Sequence, residues 1–238
     1  MLIDAHILAW NEERILPYTL DHYSSFCRNI YVYDNMSTDG SDEIYKKYDK
    51  VKVIKWDSGD KINELNYVNI KSSGYREYSS DCDWVIVCDC DEFLYHPELL
   101  TKLKKYKEHG ITVPKISGHD MVSESFPTYS GDKLTDIVKT GSQIYDVMCK
   151  SIIFDPKLKV QYGIGGHSFT APGMIISEDR DLKLLHYKFL GFDYVESLYE
   201  ARAERLSEFN KANKFGEHYL NVPFDYMNSM LKENYQVI

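Results

Sequence analysis

Residues 83–95 have the sequence DWVIVCDCDEFLY, in which a run of five apolar residues, WVIVC, leads directly into three carboxylates, Asp89, Asp91 and Glu92. A short apolar run of this kind predicts a β-strand that is buried on both faces, as in a parallel sheet covered by helices. Ligands of such sheets bind at the carboxyl ends of the strands. The segment therefore predicts both a fold class and the edge of the sheet where a site should lie.

The flanking sequence alternates between strand and helix patterns. Short apolar runs predict strands at residues 2–10, 30–34, 51–56 and 111–116. Helical spacing of apolar residues, with Pro17 and Pro97 in first turns, predicts helices at residues 15–26, 41–48, 63–78 and 97–109. This alternation predicts a mainly parallel α/β sheet flanked by helices.

The remainder of the chain has a less regular pattern. Residues 117–190 predict loops and small strands over one face of the sheet, including a strand at 151–154. Residues 193–214 have a helical, charged pattern, and residues 215–238 predict a final helix packed on the body. We therefore expect C-terminal helices after the sheet.

Composition narrows the function classes. The chain has 238 residues, of which 43% are hydrophobic and 14% aromatic, so one globular domain with appendages is expected. Its 28 Lys and Arg against 37 Asp and Glu give a net charge of -9. Nucleic acids and anionic membranes need a basic surface, so this balance argues against both as partners.

The cysteines and the lengths of the apolar runs predict the cellular compartment of the protein. The chain has no apolar run near the roughly 20 residues that cross a bilayer. Its first residues lack the basic and apolar regions of a secretory leader. Five cysteines without a pairing framework predict reduced thiols, and the absence of paired CxxC spacing argues against zinc. The expectation is a cytoplasmic protein, with peripheral membrane association left open.

The spacing of the two aspartates is the most informative local feature. In extended chain, side chains at i and i+2 point the same way, so Asp89 and Asp91 can approach one hard cation and a phosphate beyond it. Two other strand ends carry polar residues: Asp34 could accept hydrogen bonds from a ribose or a base, and Asn11 could cap the next helix or contact a ligand. The alternative for Asp89 and Asp91 is a solvated acidic turn, and the alternative for Asp34 is a turn-capping role.

Several familiar motifs are absent. No GxGxxG, GxxxxGK[ST], HExxH or GxSxG segment occurs. Their absence argues against dinucleotide-binding folds, P-loop enzymes, zincins and α/β-hydrolases.

Four segments together resemble the glycosyltransferase family 2-like superfamily, which has the GT-A fold. They are AWNEERILPYTLDHY, IYVYDNMSTDGSDEI, DWVIVCDCDEFLY and LLHYKFLG. Residues 34–40 are close to the D-x-x-S-T-D-G loop of that family, and residues 89–93 resemble a D-x-D-E-F version of its metal motif. One departure is Asn35, which stands where many relatives carry a second Asp.

The resemblance implies a role for each matching position. Nucleotide-sugar binding falls to Ala9, Asn11, Glu13, Asp34, Asn66 and Asp89. It implies a single GT-A domain with a nucleotide-sugar half at 1–116, an acceptor-side half at 117–190 and a helical extension at 191–238. Asp91 and Asp89 are the implied ligands of Mn²⁺ or Mg²⁺, and a late histidine, His186, completes the metal shell unless it is a structural histidine.

The implied reaction is transfer of a sugar from a nucleoside diphosphate, linked through UDP or GDP, to a saccharide or glycoconjugate hydroxyl. Inversion at the anomeric carbon is the usual outcome in this family. A general base must take the acceptor proton. Asp120 and His167 are the candidates, with Glu124 third, and Lys188 could neutralise phosphate. Polysaccharide biosynthesis is the expected setting.

Two other functions stay open. A nucleotidyltransferase would use a similar sheet, but it normally has a basic, glycine-rich loop after the first strand, where this chain has Asn11, Glu12 and Glu13. A non-catalytic sugar-nucleotide-binding or scaffold module is the second alternative, and retention of both Asp89 and Asp91 argues against it. The 20 tyrosines, among them Tyr18, Tyr23, Tyr219 and Tyr226, serve either the core or sugar stacking.

Overall fold

The computed structural model describes residues 1–238, which form two five-stranded sheets and a two-stranded ribbon. The strands are β1 (Ile3–Ala9), β2 (Asn29–Asp34), β3 (Val51–Lys55), β4 (Trp84–Asp89), β5 (Glu92–Tyr95), β6 (Ile116–Ser123), β7 (Thr140–Gly141), β8 (Ile153–Phe154), β9 (Gln161–Tyr162), β10 (Phe169–Thr170), β11 (Leu182–Leu190) and β12 (Tyr235–Gln236). The ribbon consists of β9 and β10.

Nine α-helices surround the sheets. They are α1 (Leu16–Ser24), α2 (Ser41–Tyr45), α3 (Glu64–Ser73), α4 (Tyr75–Tyr78), α5 (Leu99–Glu108), α6 (Leu134–Ile137), α7 (Phe192–Glu204), α8 (Glu208–Ala212) and α9 (Phe224–Glu233). Single 3₁₀ turns lie at Asp146–Met148, Ile164–Gly166 and Glu217–Leu220. No helix combines the length and apolar character that a membrane span requires.

The first sheet has the strand order β3-β2-β1-β4-β8, and its first four strands are parallel. The apolar run of β4 is fully buried, as the sequence predicts for a central strand. In the register of β1, Ala9 lies opposite Asp34 and Leu8 opposite Asp89. The carboxyl ends of β1, β2 and β4 therefore meet at one edge.

The second sheet continues from that edge in the order β12-β7-β6-β11-β5. Strand β5 begins at Glu92, directly after the two aspartates, and carries the chain from the first sheet into the second. The neighbours of β11 are β6, which runs parallel, and β5, which runs antiparallel, so His186 lies opposite both Asp120 and Glu92. A register irregularity between His186 and Phe189 adds one residue to β11.

The mixed α/β architecture with a mainly parallel sheet flanked by helices confirms the predicted fold class. The predicted helix over residues 63–78 is divided at Gly74 into α3 and α4. The predicted strand over 111–116 is wrong, because Pro114 has no N–H to donate and β6 begins only at Ile116. The long strand β11 lies in a region predicted as loops and small strands, because its polar residues obscure the strand pattern.

Candidate functional site

A cavity of about 520 Å³ lies where the two sheets meet, beside the carboxyl ends of β1 and β4 and against α7. Seven of the residues predicted from the sequence line it: Ala9, Asp89, Asp91, Asp120, His167, His186 and Lys188. They come from β1, β4, β6, β11 and the loops that follow, so residues up to 179 positions apart converge on one space.

Two predicted residues after β1 instead hold a neighbouring loop. Asn11 has a positive φ of 52°, which turns the chain after the strand. Its Oδ1 accepts a hydrogen bond from the Thr38 N–H at 2.7 Å, and Glu13 Oε2 accepts one from the Gly40 N–H at 2.8 Å. Neither side chain lines the cavity, so both serve to fix residues 37–40 against the first strand.

Glu12, between them, is the residue that faces the cavity. Its Oε1 accepts a hydrogen bond from Arg202 Nη2 at 3.3 Å. Burial raises the pKa of Glu12 to about 8, against the opposing charge of Arg202. The sequence does not reveal that Glu12 faces the cavity. The alternation of side chains along β1 cannot be extended past Asn11, because the φ of Asn11 is positive.

Asp34 lies below the cavity surface and is completely buried. Its Oδ1 accepts hydrogen bonds from the Ser37 N–H and Lys55 Nζ, at 2.8 and 3.0 Å, and its Oδ2 accepts one from the Tyr45 hydroxyl at 2.8 Å. Burial alone would raise the pKa of Asp34, but these hydrogen bonds outweigh it and lower the pKa. In this structure the carboxylate organises the loop after β2 and has no oxygen directed at the cavity.

Helix α3 lines one wall, although not through the predicted Asn66. Its cavity-lining residues are Glu64, Tyr67, Val68 and Lys71. Lys71 Nζ lies 2.9 Å from Asp89 Oδ1 and forms a buried ion pair with this half-buried aspartate. The lysine therefore holds the first aspartate of the motif in place.

Glu92 supports the same turn from beneath. Its Oε2 accepts a hydrogen bond from the Asp89 N–H at 3.0 Å, and its Oε1 lies 2.6 Å from Lys150 Nζ. Burial would raise the pKa of Glu92, but the charges of Lys150 and Lys71 lower it to about 2. Glu92, the third carboxylate of the motif, thus stabilises the turn that carries Asp89 and does not itself face the cavity.

Asp91 belongs to a chain of four polar side chains along one side of the cavity. His186 Nε2 lies 3.4 Å from Asp91 Oδ2, and His186 Nδ1 lies 2.7 Å from Asp120 Oδ1. The Tyr226 hydroxyl donates to Asp120 Oδ2 at 2.9 Å. Both oxygens of Asp120 are therefore engaged, one by His186 and one by Tyr226.

The charges of this chain are strongly coupled. Burial would lower the pKa of His186, but the carboxylates of Asp91 and Asp120 raise it to about 9. The pKa of Asp91 is well below its ordinary value, because the charge of His186 outweighs the effect of burial.

The donor set can be compared with what a divalent cation requires. The structure holds no group of three or more His, Cys, Asp or Glu side chains that converge as ligands. Asp91 and His186 form a two-residue set, and Asp120 at the second ring nitrogen of His186 matches the usual carboxylate partner of a metal-bound histidine. Magnesium-type sites commonly use one or two side chains and take their other ligands from phosphate and water. The pair therefore fits a cation that a substrate helps to bind and that displaces the proton from His186 Nε2.

Cationic side chains also line the cavity. Lys188 is only 7% exposed and forms no hydrogen bond or ion pair. Its Nζ lies 4.7 and 4.8 Å from the ring centroids of Tyr199 and Tyr219, and burial lowers its pKa. Arg202 Nη1 donates to the Tyr219 hydroxyl at 3.1 Å. A buried ammonium group that lacks an anionic partner is suited to receive one from a ligand.

Of the three proton acceptors considered from sequence, His167 has the freest nitrogen. Its Nδ1 lies 3.0 Å from the Val147 carbonyl oxygen, so Nδ1–H donates there and Nε2 keeps its lone pair. Burial and the charge of Lys150 lower the pKa of His167. Glu124 is exposed and does not line the cavity.

The four tyrosines named in the sequence analysis lie in two different environments. Tyr219 and Tyr226 line the cavity, whereas Tyr18 and Tyr23 belong to the hydrophobic core. Three other cavity residues, Lys71, Arg202 and Arg205, were not identified from sequence, because a cation on a helix normally marks a solvated face.

Comparisons with known proteins give a family match and alignments to solved structures. The family model described as Glycosyl transferase family 2 matches residues 4–171. Among solved structures, S. aureus TarS 1-349 in complex with UDP aligns with 13% identity and a TM-score of 0.49, over 96% of this chain and 73% of that one. S. aureus TarS 1-349 in complex with UDP-GlcNAc aligns with 15% identity and a TM-score of 0.45, over 96% and 74%. No curated protein sequence matches.

Proposed function

This chain belongs to glycosyl transferase family 2, and from that premise and the cavity we propose that it moves a sugar from a nucleoside-diphosphate sugar to a hydroxyl of a saccharide or glycoconjugate. One observation carries the proposal. The Asp91–His186 pair and the unpartnered Lys188 line the same cavity, so a cation-binding group and a free buried cation face a common space. A diphosphate is the ligand that satisfies both.

The leaving group sets the first chemical demand. Departure of a nucleoside diphosphate concentrates negative charge on its phosphate oxygens, and Mn²⁺ or Mg²⁺ bound there would neutralise that charge. Asp91 and His186 would hold the cation, and Asp120 would orient His186. Lys188 and Arg202, which are buried beside the same cavity, would supply further positive charge in a space where such interactions are strong.

The second demand is a base for the acceptor hydroxyl. We assign this role to His167, since its Nε2 is free and its lowered pKa keeps the ring neutral near pH 7. Asp120 is then a positioning residue, because both of its oxygens are engaged. With the base on the face of the sugar opposite the leaving group, the anomeric centre inverts.

The acceptor would bind at the cavity mouth next to His167. Tyr145 and Val147 line this side and are both exposed. An aromatic side chain that is free at a cavity mouth can stack against a sugar ring.

The proposal is tested by calorimetric titration of UDP and GDP, each with and without Mn²⁺. We expect one nucleotide to bind in a metal-dependent manner to the wild type, and this binding to fall at least tenfold in Asp91→Asn. Asp132→Asn, at an exposed position away from the cavity, is the matched control. Absence of nucleotide binding under every metal condition would overturn the proposal.

Binding alone does not separate a transferase from a sugar-nucleotide-binding module. Slow hydrolysis of a UDP- or GDP-linked sugar in the absence of acceptor, measured as release of the nucleotide, makes that distinction. We expect release by the wild type and none by Asp91→Asn.

A further inference from the structure

Arg205, at the end of α7, lines the cavity with a guanidinium that is only partly hydrogen-bonded. The residue is only 5% exposed, yet its Nη2 has no hydrogen-bond partner. Its Nε donates to Asp60 Oδ1 at 3.2 Å, which leaves the far edge of the guanidinium free. An unpaired buried donor on a charged group is costly, so a ligand atom that accepts this hydrogen bond would relieve it.

The position of this guanidinium is fixed from several directions. The Ile62 N–H donates to the Arg205 carbonyl oxygen at 2.7 Å, and the Ser207 N–H donates to the Ile62 carbonyl oxygen at 3.1 Å. The guanidinium carbon lies 3.4 Å from the ring centroid of Trp10, in a stacked cation–π contact. Arg205 is thus tied to the loop after β3 and to the end of β1, unlike a mobile surface arginine.

The surroundings of Arg205 differ from those of Arg202. Arg202 contacts Glu12 and Tyr219, on the side of the cavity that holds Lys188. Arg205 lies one helical turn further along and shares its end of the cavity with Trp10, Ile62 and Tyr67. Flat, mainly apolar walls with a single fixed donor suit a heterocycle better than a phosphate.

We propose that this end of the cavity is the nucleobase subsite, and that Arg205 recognises an exocyclic carbonyl oxygen of the base. The inference rests on the proposed function, since it specifies the nucleotide of the same donor. Uracil and guanine carry a carbonyl oxygen where cytosine and adenine carry an amino group, and an arginine can only donate. Arg205 lies outside residues 4–171, so base selection comes from the C-terminal helices of this chain.

The test is titration of UDP, GDP, CDP, ADP and inorganic diphosphate, each with Mn²⁺, against the wild type and two variants. In the wild type, we expect UDP or GDP to bind at least tenfold more tightly than CDP and ADP. Arg205→Met should weaken the preferred nucleotide about 10- to 100-fold, the loss expected for a hydrogen bond to a charged group. Binding of inorganic diphosphate should be unchanged.

Arg205→Lys keeps the charge and removes the Nη2 donor, so it should also lose the preference for uracil or guanine over cytosine and adenine. Arg14→Met is the matched control, because Arg14 stacks on Phe126 and Tyr194 and does not line the cavity. Thermal unfolding of each variant verifies that it is folded.

Three outcomes overturn the inference. A parallel loss of inorganic diphosphate in Arg205→Met would make Arg205 a phosphate ligand and would leave the proposed function intact. Equal affinity of the wild type for all four nucleotides would show that no base carbonyl is recognised, again without touching the proposed function. Failure of the wild type to bind any nucleotide or diphosphate would overturn the proposed function and the subsite with it.

Discussion

Both carboxylate oxygens of Asp120 accept hydrogen bonds, one from His186 and one from Tyr226. In the proposed reaction Asp120 therefore orients His186, and the acceptor proton passes to a different residue, His167. Asp120→Asn removes the charge behind His186 Nδ1, so we expect Mn²⁺ affinity in the presence of nucleotide to fall about 10- to 100-fold. Tyr226→Phe removes only the hydroxyl donor and should have a smaller effect of the same kind. Calorimetric titration of Mn²⁺ into the nucleotide complex measures both.

Asp225→Asn is the control for these variants, because Asp225 is exposed and adjacent to Tyr226 in α9. If Asp120→Asn abolishes transfer while Mn²⁺ affinity stays at the wild-type level, Asp120 is the base and the positioning role is wrong.

His167 is the residue whose loss should act on the chemical step. We expect His167→Ala to lower kcat by about 10²- to 10⁴-fold, the usual contribution of a general base, with little change in nucleotide affinity. A base works only when deprotonated, and the pKa of His167 is lowered by burial and by Lys150. The acid limb of kcat/KM should therefore lie below pH 6.5, the ordinary histidine value.

His109→Ala, at an exposed position after α5, is the matched control for this measurement. An acid limb that persists unchanged in the residual activity of His167→Ala would assign that limb to another group.

Residues whose direction follows from strand geometry were predictable from sequence. Asp89 and Asp91 line the cavity as the i, i+2 rule requires. Asn11 does not, because its positive φ reverses the direction that the strand would otherwise impose. Arg205 could not be found, since nothing in a helical charge pattern distinguishes a cation that faces a cavity from one that faces solvent.

The pairing of β6 with β11 is the structural element that builds the site, since it places Asp120 beside His186. The sequence predicts Asp120 and His186 as site residues but does not predict β6 or β11 as strands. Both strands carry histidine and charged residues at buried positions, which hides the apolar pattern of a strand. The first sheet was predictable for the opposite reason: its strands are short, apolar and bounded by turns.

Gly118 in β6 controls how closely the next loop approaches. A Cβ at this position would lie 2.1 Å from the backbone carbonyl carbon of Met148. Gly118→Ala should therefore push the segment around Val147 away from β6 and displace the carbonyl that holds His167. We expect a loss of about 2 to 3 kcal/mol in the free energy of unfolding, measured by urea denaturation, together with reduced activity.

Gly110→Ala provides the comparison, because Gly110 has a φ of +71° but no atom within 4 Å of an added Cβ. It should lose only about 1 kcal/mol, the cost of backbone strain. Equal losses in the two variants would mean that the loop moves away from Gly118 without penalty.

The net charge of the molecule is negative, but a cluster of cationic side chains lies at one site. The net charge of -9 argues against polyanionic partners, yet Lys71, Lys150, Lys188, Arg202 and Arg205 all line one cavity. Acidic residues elsewhere repel polyanions, while this cluster attracts a small anion that fits inside. Composition therefore argues against a class of partners and still conceals the positive site.

Acid stability of the fold should depend on a histidine that does not line the cavity. His6 is buried in β1, where its ring nitrogens lie 3.1 Å from the Tyr33 hydroxyl and 2.8 Å from Ser79 Oγ. Burial lowers the pKa of His6 to about 3, and the opposing effect of Asp4 is smaller. The unfolded chain therefore takes up a proton below about pH 6.5 that the folded chain does not. This difference lowers the free energy of unfolding by about 1.4 kcal/mol per pH unit between pH 6.5 and pH 3.

His6→Gln should remove that slope between about pH 6 and pH 4.5, above the range in which most carboxylates titrate. Urea denaturation at each pH measures it, with the exposed His109→Gln as control. The slope of His6→Gln must be shallower than that of the wild type, because an equal slope would mean that the native protein already protonates His6.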